Sequence, residues 1–173
     1  MVLRVVLAGG GTAGHVNPLL ATADVLEGRG HKIEVLGTKE GLESTLVPAA
    51  GLKLHTLPKV PIPRRPSKDL LTVPARLKSA TKIAEEVLGG ADVLVGFGGY
   101  VSAPAYIAAS RLGVPFVVQE QNVRPGWANR LGARSAKSVS LTFPQTRLAA
   151  RHGRTVFTGL PLRRSIVELA EQR

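Results

Sequence analysis

Three short stretches of this sequence combine glycines with side chains able to accept protons or form hydrogen bonds. Residues 9–18 read Gly-Gly-Gly-Thr-Ala-Gly-His-Val-Asn-Pro, so Gly9, Gly11 and Gly14 fall in the G-x-G-x-x-G spacing and His15 follows at once. Residues 96–100 read Gly-Phe-Gly-Gly-Tyr, and residues 119–122 read Gln-Glu-Gln-Asn. The first cluster joins an apolar run, Val2 to Ala8, to a helical pattern. A strand that turns into a helix in this way aims the unpaired N–H groups of the helix start at the turn, and a phosphate or diphosphate is the natural guest. His15 lies in the first turn of that helix, where the dipole disfavours the imidazolium. A neutral ring there can accept a proton or orient a hydroxyl, the alternative being a helix-start histidine bonded to a neighbouring loop.

The same spacing marks dinucleotide sites, which also need an acid at the end of the second strand for the ribose hydroxyls. Here that strand ends Val35-Leu36-Gly37-Thr38-Lys39, with Glu34 inside it. A NAD(P)-binding oxidoreductase domain is therefore disfavoured, and no cofactor is expected. The chain has no cysteine, which excludes disulfides and thiolate metal sites, and no metal site is expected. Gly98 and Gly99 let the backbone approach a ligand just before a helix, so this is either a second anion turn or a close-packed bend. Glu120 is either a site carboxylate or a loop acid paired with one of the 23 lysines and arginines.

These residues need a scaffold, and the pattern supplies one. Short β-branched runs at 3–8, 32–36, 53–57, 93–97, 116–118, 138–141 and 155–158 alternate with helical patterns at 15–28, 39–49, 68–88, 103–112, 126–134 and 144–151. Alternation of this kind specifies β-α-β units: an α/β fold with a doubly wound, mostly parallel sheet and helices on both faces. Right-handed crossovers leave a strand order near 3-2-1-4-5. The first and fourth strands then flank the switch point, and the three stretches share one crevice at the carboxyl edge of the sheet. Ser102 ahead of Ala103-Pro104 reads as a helix N-cap, and Gly30 and Gly113 as helix stops.

At 173 residues with 44% hydrophobic side chains the chain suits one ordinary domain. Its net charge of +11 favours anionic partners. Seven aromatics, with no basic-aromatic interleaving, argue against nucleic acid. No run approaches the roughly 20 apolar residues of a spanning helix. The proline-rich stretch from Pro58 to Lys78 mixes apolar and cationic residues, among them Ile62, Arg64, Arg65, Lys68, Leu70 and Leu71. It is either an ordinary helix with one solvated face or an apolar patch ringed by cations for an anionic membrane surface.

Taken together, residues 9–18, residues 96–104 (Gly-Phe-Gly-Gly-Tyr-Val-Ser-Ala-Pro), Glu120-Gln121-Asn122 and residues 125–130 (Pro-Gly-Trp-Ala-Asn-Arg) resemble the MurG family of bacterial N-acetylglucosaminyltransferases. The resemblance runs nearly the whole length of the chain but covers only the amino-terminal half of that family, whose members have two Rossmann-like domains in the GT-B arrangement. It implies an acceptor-binding domain at 1–158, with 159–173 leading into a donor-binding domain. It implies an inverting transfer of GlcNAc from UDP-GlcNAc to the MurNAc 4-hydroxyl of lipid I, forming lipid II, on the cytoplasmic face of the bacterial membrane. A related GT-B transferase with another sugar or lipid-linked acceptor is the alternative.

Carried over by motif, His15, Glu120 and Tyr100 are the expected catalytic residues. Gly10, Gly11, Thr12, Ala13, Gly14, Gly98 and Gly99 would receive the acceptor diphosphate, and Thr12 to His15, Asn122, Asn129 and Arg163 would bind substrate. Two positions depart from the family: Gln119, where histidine is common, and Leu160, where asparagine is common. The fragment alone is expected to be inactive.

Overall fold

A computed structural model describes residues 1–60 and 71–172. Among these, the strands are β1 (Arg4–Ala8), β2 (Lys32–Gly37), β3 (Lys53–Thr56), β4 (Val93–Gly96), β5 (Phe116–Glu120), β6 (Ser138–Leu141) and β7 (Arg154–Phe157). The helices are α1 (Ala13–Gly28), α2 (Glu43–Ala49), α3 (Val73–Leu88), α4 (Ser102–Leu112), α5 (Trp127–Gly132) and α6 (Arg164–Glu171). The strands form one sheet in the order β3-β2-β1-β4-β5-β6-β7, with every neighbouring pair parallel. The expected order is thus met and extended by two strands.

The period of two in β1 shows why both faces are covered. Val5 and Leu7 pack on one side with Leu19 and Ala23 of α1 and Val47 of α2. Val6 and Ala8 pack on the other with Ala80 and Ala84 of α3 and Ala105 and Ala109 of α4. Strands buried on both faces read as unbroken apolar runs, as this one does. At the switch point Ala8 is in register with Gly96, and the N–H of Phe97 donates to the Ala8 carbonyl at 2.7 Å. The loops after β1 and β4 therefore leave the sheet side by side.

Three local expectations are corrected. Residues 144–151 form no helix. Their polar groups bond elsewhere: the Thr146 hydroxyl to the Asn122 carbonyl at 2.9 Å and the Ala150 N–H to Thr155 Oγ1 at 3.0 Å, and the Arg151 N–H to the Ala133 carbonyl at 2.9 Å. Helix α2 starts at Glu43 rather than near residue 39, because residues 38–42 wrap around the Glu43 carboxylate described below. Ser102 is not an N-cap: it is the first residue of α4, and its hydroxyl accepts the Gly98 N–H at 2.9 Å and reaches the carbonyls of Ala8 and Gly98. It ties the β4–α4 turn to the end of β1.

Candidate active site

The two glycine turns meet. Gly98 and Gly99 have φ of +93° and +80°, a region in which any other residue is strained. A Cβ on Gly99 would lie 2.5 Å from the Gly10 carbonyl oxygen. Only bare backbone lets the β4–α4 turn close onto the β1–α1 turn. Between them and the β5–α5 loop opens a cleft of about 560 Å³ walled by Gly10, Gly11, Thr12, His15, Gly98, Gly99, Tyr100, Glu120, Asn122 and Asn129, with Trp127 and Lys59 at its edge. The convergence expected from the topology is therefore present.

His15 is held by one ring nitrogen. Nδ1 lies 3.1 Å from the Gly10 carbonyl oxygen and 3.0 Å from Thr12 Oγ1. A carbonyl can only accept, so Nδ1 carries the proton, and the lone pair of the neutral ring is left on Nε2. Nε2 bonds to none of the described residues and lies against Gly98 in the cleft wall. Burial pushes the His15 pKa below its ordinary 6.5, opposed by the Gly10 carbonyl and by the charges of Glu120 and Glu43. The neutral, proton-accepting form is thus the one present at neutral pH.

Glu120 closes β5 and is buried. Its Oε1 accepts from the backbone and side-chain amides of Asn122 at 2.9 and 3.0 Å, and its Oε2 from the Gly126 N–H at 3.0 Å and Asn129 Nδ2 at 2.9 Å. Asn129, also buried, gives its other Nδ2 proton to the Gln119 carbonyl and accepts the Tyr106 hydroxyl at 2.9 Å. Tyr106 stacks on Phe116 with centroids 5.1 Å apart, and burial raises its pKa so that it stays a phenol. Four donors around one carboxylate brace the β5–α5 loop and fix Glu120 in the cleft wall with both oxygens already bonded. Asn122 remains exposed at the edge.

Glu43, which the sequence reading missed, lies beneath the first turn and is fully buried. Its Oε2 accepts the Gly11 N–H at 2.8 Å, and its Oε1 accepts the Thr38 N–H at 2.9 Å and the Thr38 hydroxyl at 2.7 Å. A Cβ on Gly10, Gly37 or Gly41 would fall within 2.6 Å of this side chain, so three glycines clear its space. Burial would push the carboxyl up, but the donors from Gly11 and Thr38 outweigh it and hold the carboxyl below the usual range.

Two of the expected diphosphate residues have their N–H groups engaged within the chain. The N–H of Gly11 is taken by Glu43 and that of Gly98 by Ser102. The segment Thr12, Ala13 and Gly14 at the start of α1 is exposed and carries no side-chain cap. Tyr100 stands at the rim with Lys59 Nζ 5.9 Å from its ring centre. Arg163 donates to Asn17 Oδ1 at 2.6 Å, which brings residues 159–163 back to the start of α1. Of the proposed membrane residues, Leu71 is 82% exposed, while Ile62, Arg64, Arg65, Lys68 and Leu70 lie outside the described residues.

A family profile described as the glycosyltransferase family 28 N-terminal domain matches residues 5–141. A Clavibacter sepedonicus protein named "UDP-N-acetylglucosamine--N-acetylmuramyl-(pentapeptide) pyrophosphoryl-undecaprenol N-acetylglucosamine transferase" is 55% identical over 167 residues, covering 94% of this chain and 45% of the relative. A Cutibacterium acnes protein of the same name is 51% identical over 172 residues, covering 98% of this chain and 45% of its own length. The crystal structure of Acinetobacter baumannii MurG superposes with a TM-score of 0.76 at 31% identity, covering 92% of this chain and 46% of that one. The chain thus spans about half the length of the curated relatives it matches. By sequence, fold and the crevice where its glycine turns meet, the chain belongs to glycosyltransferase family 28, as an N-terminal domain of the MurG type.

Proposed function

We propose that this chain is the acceptor-binding half of an inverting glycosyltransferase that moves GlcNAc from UDP-GlcNAc to the MurNAc 4-hydroxyl of lipid I, forming lipid II at the cytoplasmic face of the membrane. The name of the relatives describes such a transfer to an N-acetylmuramyl-(pentapeptide) pyrophosphoryl-undecaprenol. The observation that carries the reading is His15, with Nδ1 committed to the Gly10 carbonyl and Nε2 open in the cleft.

An acceptor hydroxyl within hydrogen-bond reach of Nε2 gives up its proton as its oxygen attacks the anomeric carbon. The bond from that carbon to the UDP oxygen breaks, and UDP leaves with the electron pair. The imidazolium formed is stabilised by the Gly10 carbonyl and by the buried charges of Glu120 and Glu43. Glu120, saturated by four donors, suits the part of fixed charge better than that of base. Tyr100 and Trp127 offer apolar faces to the sugar ring, Thr12 to Gly14 and Lys59 receive the diphosphate, and the 58–78 stretch meets the lipid surface.

The test joins this chain to the carboxy-terminal half of the Clavibacter sepedonicus relative and follows GlcNAc transfer to a short-tailed lipid I analogue. His15→Asn is expected to lower kcat about 100-fold or more, the usual share of a positioned general base. Transfer unaffected by that substitution overturns the assignment of the base.

A further inference from the structure

Gly10 and Gly11 share one peptide unit, and both of its polar groups are engaged. Its N–H, on Gly11, donates to Glu43 Oε2 at 2.8 Å. Its carbonyl, on Gly10, lies 3.1 Å from His15 Nδ1. No peptide bond in the described chain is cis, and in a planar trans peptide the N–H and C=O point in opposite directions. Aiming the N–H at Glu43 below the turn therefore aims the carbonyl at His15 above it. We infer that Glu43 is a positioning residue that fixes the tautomer of His15 through the Gly10–Gly11 peptide unit.

The packing supports this assignment. Between two glycines a peptide unit can flip at little steric cost, so something must hold it. Glu43 holds it with a fully buried carboxylate, itself locked by two donors from Thr38. From the cleft side Gly99 presses against the Gly10 carbonyl, where a Cβ would clash. A flipped peptide would leave Glu43 without its Gly11 donor and turn an N–H toward Nδ1. The ring would then place its proton on Nε2, the atom that has to accept one. Hydrogen bonds in series polarise one another, so the buried negative charge also strengthens the carbonyl as an acceptor. The groups facing the His15 ring are the Gly10 carbonyl, the Thr12 hydroxyl, the Gly98 backbone and, through space, Glu120 and Glu43. Of these, Glu43 acts on it through a bonded chain, by way of the Gly10–Gly11 peptide.

The catalytic meaning of this arrangement rests on the proposed role of His15 as base, but the arrangement can be measured without it. Nitrogen-15 shifts of the His15 ring in this chain should report the Nδ1–H form in the wild type. Glu43→Gln keeps the shape but cannot present an acceptor to both Gly11 and Thr38, so the Nε2–H form should rise and the ring pKa should fall. Thr38→Val disturbs the same pocket while sparing the Gly11 contact, and should leave the tautomer unchanged. A wild-type ring in the Nε2–H form, or a folded Glu43→Gln chain with unaltered ring shifts, overturns the inference. Should Glu43→Gln fail to fold, the coupling across the hydrogen bond between the Gly11 nitrogen and the Glu43 carboxyl carbon in the wild type decides, and its absence overturns the inference. A Glu43→Gln tautomer change without loss of kcat in the joined enzyme would instead refute His15 as base and leave the positioning intact.

Discussion

At the scale of single residues, the site is one histidine set among buried carboxylates that are themselves fully hydrogen-bonded. Because burial lowers the His15 pKa, its protonation favours the unfolded chain, so its contribution to stability is complete above 6.5 and is lost as pH falls through the folded value below it. The acid limb of kcat in the joined enzyme should likewise lie below 6.5, and a limb above 6.5 would contradict a depressed pKa. Asn129→Ala should orphan the Tyr106 hydroxyl and remove one of the two donors to Glu120 Oε2, at about 1–3 kcal/mol for the stranded hydroxyl, readable by urea unfolding. His15 was legible in the sequence because it adjoins the glycine turn. Glu120 was legible as a site residue, but the four donors that occupy it come from Asn122, Gly126 and Asn129, whose approach only folding creates. Glu43 was not legible at all: the glycines that clear its space are Gly10 after β1, Gly37 at the end of β2 and Gly41 in the loop beyond it, and no spacing along the chain marks them as one pocket.

Among the elements, the glycine turns matter most, and two substitutions separate their roles. Gly113→Ala, at a φ of +70° with open space around its Cβ, should cost only the left-handed backbone penalty, about 1–2 kcal/mol, and leave transfer unchanged. Gly99→Ala bears the same penalty plus a clash with the Gly10 carbonyl, so it should lower kcat far more than its thermal destabilisation explains; equal behaviour of the two variants would show that the contact between turns is passive. The strands and their order were legible because parallel strands buried on both faces read as apolar runs. The pattern at 144–151 misled because its apolar residues Leu148 and Ala150 do pack on the core, while neighbouring backbone groups bond to Ala133 and Thr155 rather than along a helix. Ser102 misled in a different way. A serine ahead of alanine and proline has the composition of a cap, but the nearby Gly98 N–H and Ala8 carbonyl compete for its hydroxyl and win.

For the whole molecule, the distribution of charge is uneven. The chain carries +11, yet the charged groups of the cleft wall among the described residues are Glu40, Glu120 and Lys59, with Glu43 just beneath. Under the proposed function the cationic residues elsewhere meet the anionic surface and the cleft takes the acceptor sugar. The chain should co-sediment with anionic vesicles and less so at high salt. Replacing Arg64, Arg65 and Lys68 with glutamate should weaken that binding, and undiminished binding would remove the membrane role of this stretch. Whether the cleft receives the acceptor rather than the donor is decided by titrating a short-tailed lipid I analogue, and separately UDP-GlcNAc, into nitrogen-15-labelled chain. If the acceptor binds here, the analogue shifts the amides of Gly10 to His15 and Gly98 to Tyr100 together, while UDP-GlcNAc leaves them in place. Shifts in both turns with UDP-GlcNAc and none with the analogue would contradict it.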